Sequence, residues 1–220
     1  MIVEVNQEKI KNLITEIKPA TIVAATKYGD YHLLNQLENC GITFFGENRV
    51  QALLEKYEKY HGKGEFHMIG TLQKNKVKYI IDKVKMIHAV DSLSLLEVID
   101  KQAKKHQITM PILLQVNIAL EESKHGFKKQ EVEEICKLSG HYPNVEIQGL
   151  MMMAPNKKDV EVYFEQTKAL FEELKKQFPQ LNLKHLSMGM SNDYQYAIKH
   201  GATLVRLGSI LLEGATNERN

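Results

Sequence analysis

Two cations lie where cations are costly. Lys27 closes the apolar run Thr21-Ile22-Val23-Ala24-Ala25-Thr26, and Arg206 interrupts the run Leu204-Val205-Arg206-Leu207. Runs of small and β-branched residues read as strands buried on both faces. An ammonium at the end of such a strand is expensive to desolvate, so its pKa tends to fall, and a partly neutral lysine attacks aldehydes. The competing reading is a lysine that snorkels into water just past its strand. Arg206 needs acceptors, either from a structural ion pair or from a ligand. Only three of the 29 basic residues are arginines (Arg49, Arg206 and Arg219), so the position of each is informative.

Other polar groups recur at the ends of apolar runs. Phe45-Gly46 leads into Glu47 and Asn48. Asn48 can donate or accept a hydrogen bond, while both residues also suit a helix N-terminus, which explains Glu47 well. His67 lies inside an apolar segment, either as a hydrogen-bonded core histidine or as a group facing an interior site. Met151-Met152-Met153 reads as adaptable packing or, at Met153, as padding for a flat ring. Ser187-Met188-Gly189-Met190-Ser191-Asn192-Asp193 is a small-residue turn that opens a helix; its backbone N–H groups suit an anion, and a simple capped helix start fits equally well. Gly208-Ser209 offers close backbone approach just past the Arg206 strand. The polar loop from Glu121 to Phe127 holds Lys124, a surface lysine or a contact for an anionic ligand.

These residues need a frame. Strand patterns fall at 21–26, 42–45, 65–69, 85–89, 111–117, 145–151, 183–187 and 203–207. Helical patterns fall between them at 30–39, 47–60, 72–82, 92–105, 128–139, 158–177 and 192–200, with a further helix at 6–17 behind an Asn6 cap. Eight apolar strands separated by helices build a parallel sheet. The spacing predicts a single α/β domain over 1–220, a compact (β/α)₈ TIM barrel with an extra N-terminal helix; a doubly wound open sheet is the alternative. A barrel puts its chemistry at the C-terminal strand ends and commonly holds phosphate after strands seven and eight. Lys27 and Arg206 then lie on adjacent strands, beside two anion-binding turns. A ligand with an aldehyde, a flat ring and a phosphate fits, and pyridoxal 5′-phosphate has all three.

Composition sets limits. Charged residues make up 25% and the net charge is +2, with no global field to draw nucleic acid or an anionic membrane. Cys40 and Cys136 lack metal-type spacing and suit free thiols in a reducing cytosol. The N-terminal residues do not read as a signal peptide, and no apolar run approaches the roughly 20 residues of a membrane span. A cytoplasmic protein is expected.

The chain closely resembles the pyridoxal phosphate homeostasis family, also called the proline-synthase co-transcribed family. The matching blocks are Val23 to Lys27, Phe45 to Asn48, His67 to Lys76, Gln115 to Asn117 with Glu121 and Lys124 to Phe127, Gly149 to Met151, Leu186 to Asp193, and Val205 to Gly208. Ala25-Thr26, where the family often has valine-serine, and Leu211 to Gly214 are mild departures. The resemblance implies an alanine-racemase-like barrel (fold type III) holding pyridoxal phosphate as a Schiff base on Lys27. It places Arg206 at the pyridine nitrogen and Ser191, Gly208 and their neighbours at the phosphate. Asn48, His67, Met153, Ser187, Met188 and Ser209 complete the expected cofactor-binding set, with no catalytic residue or metal. The implied role is carrier and regulator of the vitamin B6 pool, with pyridoxal-phosphate-dependent apoenzymes as partners, no robust turnover, and a monomer or weak dimer. A monomeric amino-acid racemase is the alternative. Related racemases take a second base from an additional β-domain, for which this chain is expected to have no residues left.

Overall fold

The computed structural model describes residues 2–27, 29–119, 125–155, 157, 159–213 and 216–218. Eight strands run parallel: β2 (Thr21–Ala25), β3 (Phe44–Glu47), β4 (Glu65–Met68), β5 (Met86–Val90), β6 (Met110–Val116), β7 (Val145–Met152), β8 (His185–Ser187) and β9 (Leu204–Leu207). They pair in sequence order, and β2 pairs with β9 to close the barrel. Closure excludes the open doubly wound sheet. Outside the barrel, β1 (Ile2–Glu4) pairs antiparallel with β10 (Thr216–Glu218), a ribbon that sequence patterning does not indicate.

Helices follow the strands: α1 (Gln7–Glu16), α2 (Tyr31–Asn39), α3 (Val50–Lys59), α4 (Val77–Ile80), α5 (Leu93–Lys105), α6 (Lys129–Leu138), α7 (Glu161–Gln177), α8 (Tyr194–Lys199) and α9 (Ser209–Leu212). Local chemistry sets several starts. The side chains of Asn6, Asp30 and Ser92 accept from Lys9, His32 and Leu95 backbone N–H groups respectively, satisfying donors that a helix start leaves open. The predicted helix over 72–82 shrinks to a 3₁₀ turn at Lys74–Lys76 followed by α4.

Two apolar layers hold the barrel. The outer one packs helix faces onto the strands through residues such as Leu34, Leu53, Leu96, Ile99 and Phe164. Burying each such side chain contributes about 1.5–3 kcal/mol. The inner layer is small: Val23, Ile69, Met86, Ala89, Leu113, Met151 and Leu204. Ala25 and Phe44 pack against it, and His67, His88, Ser187 and Arg206 are buried polar groups of the same strands. One glycine is needed to bring β7 against β8. Gly149 has φ +150°, and a Cβ there would lie 1.8 Å from the His185 carbonyl oxygen. Its bulge falls where the β6–β7 register shifts between Ile112 and Leu113.

Candidate functional site

Lys27 leaves the end of β2 at the C-terminal mouth of the barrel, and its side chain is exposed. This corrects the expectation of a lysine desolvated by its strand, because the strand ends two residues earlier. The buried ammonium belongs to Lys56 of α3, 7% exposed. Its Nζ donates to Glu47 Oε1 at 2.5 Å and to the Thr26 carbonyl at 2.6 Å, and the Thr26 hydroxyl also donates to Glu47 Oε1. Glu47 is therefore not a helix N-terminal residue. It ends β3, is 1% exposed, and clamps the residue that precedes Lys27. The helix starts only at Val50, because pairing with buried Lys56 keeps Glu47 in the strand.

Arg206 is 5% exposed and is held by backbone and hydroxyl oxygens. Nη1 donates to the carbonyl and to the Oγ of Ser187, each at 2.8 Å, and Nη2 donates to the Met152 carbonyl at 2.9 Å. A guanidinium has five N–H donors, so two make no hydrogen bond among the described residues and can serve a ligand. Burial lowers its pKa to about 10, opposed by the Asp193 carboxylate, and it stays cationic at neutral pH. Asp193 is pushed upward by burial, although the Met190 N–H donates to its Oδ1 at 2.5 Å and Arg206 lies within electrostatic reach.

Behind Arg206 a polar chain crosses the barrel. His88 Nδ1 lies 3.0 Å from Ser187 Oγ, and His88 Nε2 lies 2.9 Å from His67 Nδ1. Strands β5 and β8 are not neighbours in the sheet, so the His88–Ser187 contact passes through the interior. Burial holds both imidazoles neutral. His67 falls to about 3, through burial first and then the charges of His185 and Lys85. His88 falls well below its ordinary value through burial, His67 and Arg206.

The remaining expected residues divide. Ser191 Oγ accepts from the Gly208 and Ile210 N–H groups at 3.3 and 3.4 Å, joining the turn after β8 to the start of α9. A Cβ added at Gly208 would lie 3.3 Å from the Ala25 carbonyl oxygen of β2, so Arg206, Gly208 and Lys27 share one sector of the mouth. Ser209 and Asn48 are exposed there, and Met153 is 46% exposed, whereas Met151 and Met152 are buried. Ser187 and Met188 are fully buried, with Ser187 beneath Arg206. His67 does not join them. It lines a cavity with Lys85, Gln148 and His185 at the N-terminal end of the barrel. Lys124 lies outside the described residues. Sequence reasoning misses His88 and Lys56. His88 carries the same signal as Arg206, a lone ionisable group inside the run Met86 to Val90, whereas Lys56 looks like any lysine on a helix.

Residues 3–215 match the family model described as alanine racemase, N-terminal domain. The pyridoxal phosphate homeostasis protein of Aquifex aeolicus is 40% identical over 196 residues, covering 87% of this chain and 86% of that protein. The chain belongs to the pyridoxal phosphate homeostasis protein family. A second member of that family, from Helicobacter pylori strain 26695, is 37% identical over 94% of this chain and 98% of its own length. Among solved structures, PipY of Synechococcus elongatus with PLP bound superposes with a TM-score of 0.87 at 30% identity, covering 94% of this chain and 99% of PipY. Alanine racemase of Clostridium difficile shares the fold, with a TM-score of 0.76 at 15% identity over 96% of this chain and 58% of the enzyme.

Proposed function

We propose that the protein binds pyridoxal 5′-phosphate at the C-terminal mouth of its barrel and serves intracellular B6 homeostasis as carrier and regulator, without robust turnover. The observation that carries this reading is Arg206. Its buried guanidinium keeps two N–H groups without a partner among the described residues beside the Lys27 strand, a donor set for a flat acceptor such as a pyridine nitrogen. The residues fit the group. Ser191 would hold the phosphate together with the Gly208 and Ile210 N–H groups, which would exchange their long bonds to Ser191 Oγ for phosphate oxygens, and Met153 would cover the ring. When bound, the cofactor would supply an electrophilic aldehyde, and the exposed Lys27 amine would hold it by reversible condensation with release of water. Glu47 and Lys56 fix the backbone from which Lys27 reaches. A permanent cation at the ring nitrogen disfavours protonation there and weakens the ring as an electron sink, which favours storage over carbanion chemistry.

The test is spectroscopic. Protein loaded with pyridoxal phosphate should show the visible band of a lysine-bound pyridoxal. Borohydride should fix the adduct on the peptide carrying Lys27, and Lys27→Ala should abolish both. A band that persists in that variant, or an adduct on another lysine, would sink the reading. Arg206→Met should weaken cofactor binding about tenfold or more and displace the pH midpoint of the band, since one charge-assisted hydrogen bond contributes about 1.5–3 kcal/mol. Unchanged affinity and midpoint would make Arg206 a structural group alone.

A further inference from the structure

The N-terminal end of the barrel holds a second polar centre that the cofactor site does not use. A cavity of about 170 Å³ opens there, lined among others by Phe44, His67, Lys85, Gln148, Lys184 and His185. It has room for roughly five waters or an anion of a few non-hydrogen atoms. Two of the residues lining this cavity each carry a buried ring nitrogen, His67 Nε2 and His185 Nδ1, with no hydrogen-bond partner among the described residues. His67 is only 2% exposed, and a buried polar atom left unpaired costs about 1–3 kcal/mol.

The interior chain fixes what His67 offers. Arg206 can only donate, so Ser187 Oγ accepts from it. The Ser187 hydroxyl has one proton, and His88 Nδ1 is its remaining neighbour among the described residues. The Ser187 hydroxyl therefore donates to a bare His88 Nδ1, the single proton of neutral His88 sits on Nε2 and is donated to His67 Nδ1, and the neutral His67 carries its own proton on Nε2. The opposite polarity would leave the serine proton without an acceptor. His67 thus presents a donor, stacked on the Phe44 ring at a centroid distance of 4.7 Å. The rim adds cationic charge. Lys85 sits 3.2 Å from Glu65, which lines the same cavity, so the second lysine, Lys184, sets the net positive charge; Glu146, within electrostatic reach of Lys184, accepts from Gln148 at 2.6 Å and Asn182 at 2.9 Å.

We infer that this cavity is a binding site for a small oxyanion, carboxylate or phosphate, whose oxygen accepts from His67 Nε2–H and whose charge is met by Lys184 and Lys85. The site lies across the barrel from Lys27 and stands without the cofactor reading.

The test uses the whole apoprotein with ¹⁵N-labelled histidine, titrated separately with sodium acetate and inorganic phosphate against sodium chloride at matched ionic strength. The His67 and His185 ring signals should shift saturably with at least one oxyanion and not with chloride. Acetate alone would identify a carboxylate site and phosphate alone a phosphate site. Lys184→Met, an exposed change that leaves the core intact, should weaken binding about tenfold. Lys27→Ala should bind as wild type, so failure of the cofactor reading leaves this result untouched. The inference is overturned if neither anion saturates, if the shift is confined to His185, or if Lys184→Met binds normally.

Discussion

Glu47→Ala should cost the protein about 3–5 kcal/mol of stability, the penalty for stranding one member of a buried ion pair. The Lys56 ammonium would keep only the Thr26 carbonyl, and its charge would have no counterion among the groups that now hold it. For a chain of this size that corresponds to a fall of about 6–11 °C in Tm. Glu47→Gln should cost less, because an amide oxygen still accepts from both Lys56 and Thr26. The paired change Glu47→Leu with Lys56→Met should recover much of the loss, since apolar replacement of a whole buried pair is often neutral. That double variant would still lack the clamp on Thr26, so cofactor affinity should stay reduced while stability returns. Urea unfolding of the four proteins decides the matter. A Glu47→Ala protein within about 1 kcal/mol of wild type would mean that the pair carries no such charge penalty.

The second large effect is acid lability. His67 and His88 are held neutral in the fold and take up protons freely once unfolded, so the unfolded state binds more protons below pH 6.5. A folded pKa below the unfolded value gives stability that is complete above pH 6.5. It is lost as the pH falls toward the folded values, about 3 for His67. By pH 5 each ring should withdraw about 2 kcal/mol, about 4 kcal/mol for the pair. Most carboxylates titrate lower, so the slope between pH 6.5 and 5 reports chiefly these rings together with His185, which burial also lowers. Urea midpoints should fall steeply across that window, and imidazole NMR should show both rings still neutral in the folded protein at pH 5. A flat stability profile, or protonated rings at that pH, would overturn the assignment.

Much of this molecule is legible in its sequence because barrel strands announce themselves. The run Thr21 to Ala25 and its seven counterparts are rich in apolar residues, and their spacing leaves only helix-length connections. Arg206 is legible for a related reason, since a charge in an apolar strand must be compensated. Glu47 misleads because a strand end and a helix start share acidic residues, and only the burial of Lys56 decides between them. His67 sorts with the cofactor residues in sequence because a pattern gives the strand but not the depth along it. Two residues earlier or later on a barrel strand separates one mouth from the other. His88 is easily overlooked although its setting matches that of Arg206. The β1–β10 ribbon joins segments too short to carry a pattern.

The closing seam of the barrel carries a consequence for assembly. Val23 and Arg206 are register partners across the β2–β9 junction, and Gly208 lies against Ala25, so the Lys27 strand meets its partner only after nearly the whole chain is in place. A growing chain that has made Lys27 has half a receptor. A ligand that bridges the two strands acts as a staple on the last joint to form, and it holds that joint by RT ln(1 + [L]/Kd). Loading at the mouth would therefore require a closed β2–β9 seam, since Lys27 and Arg206 stand on its two sides.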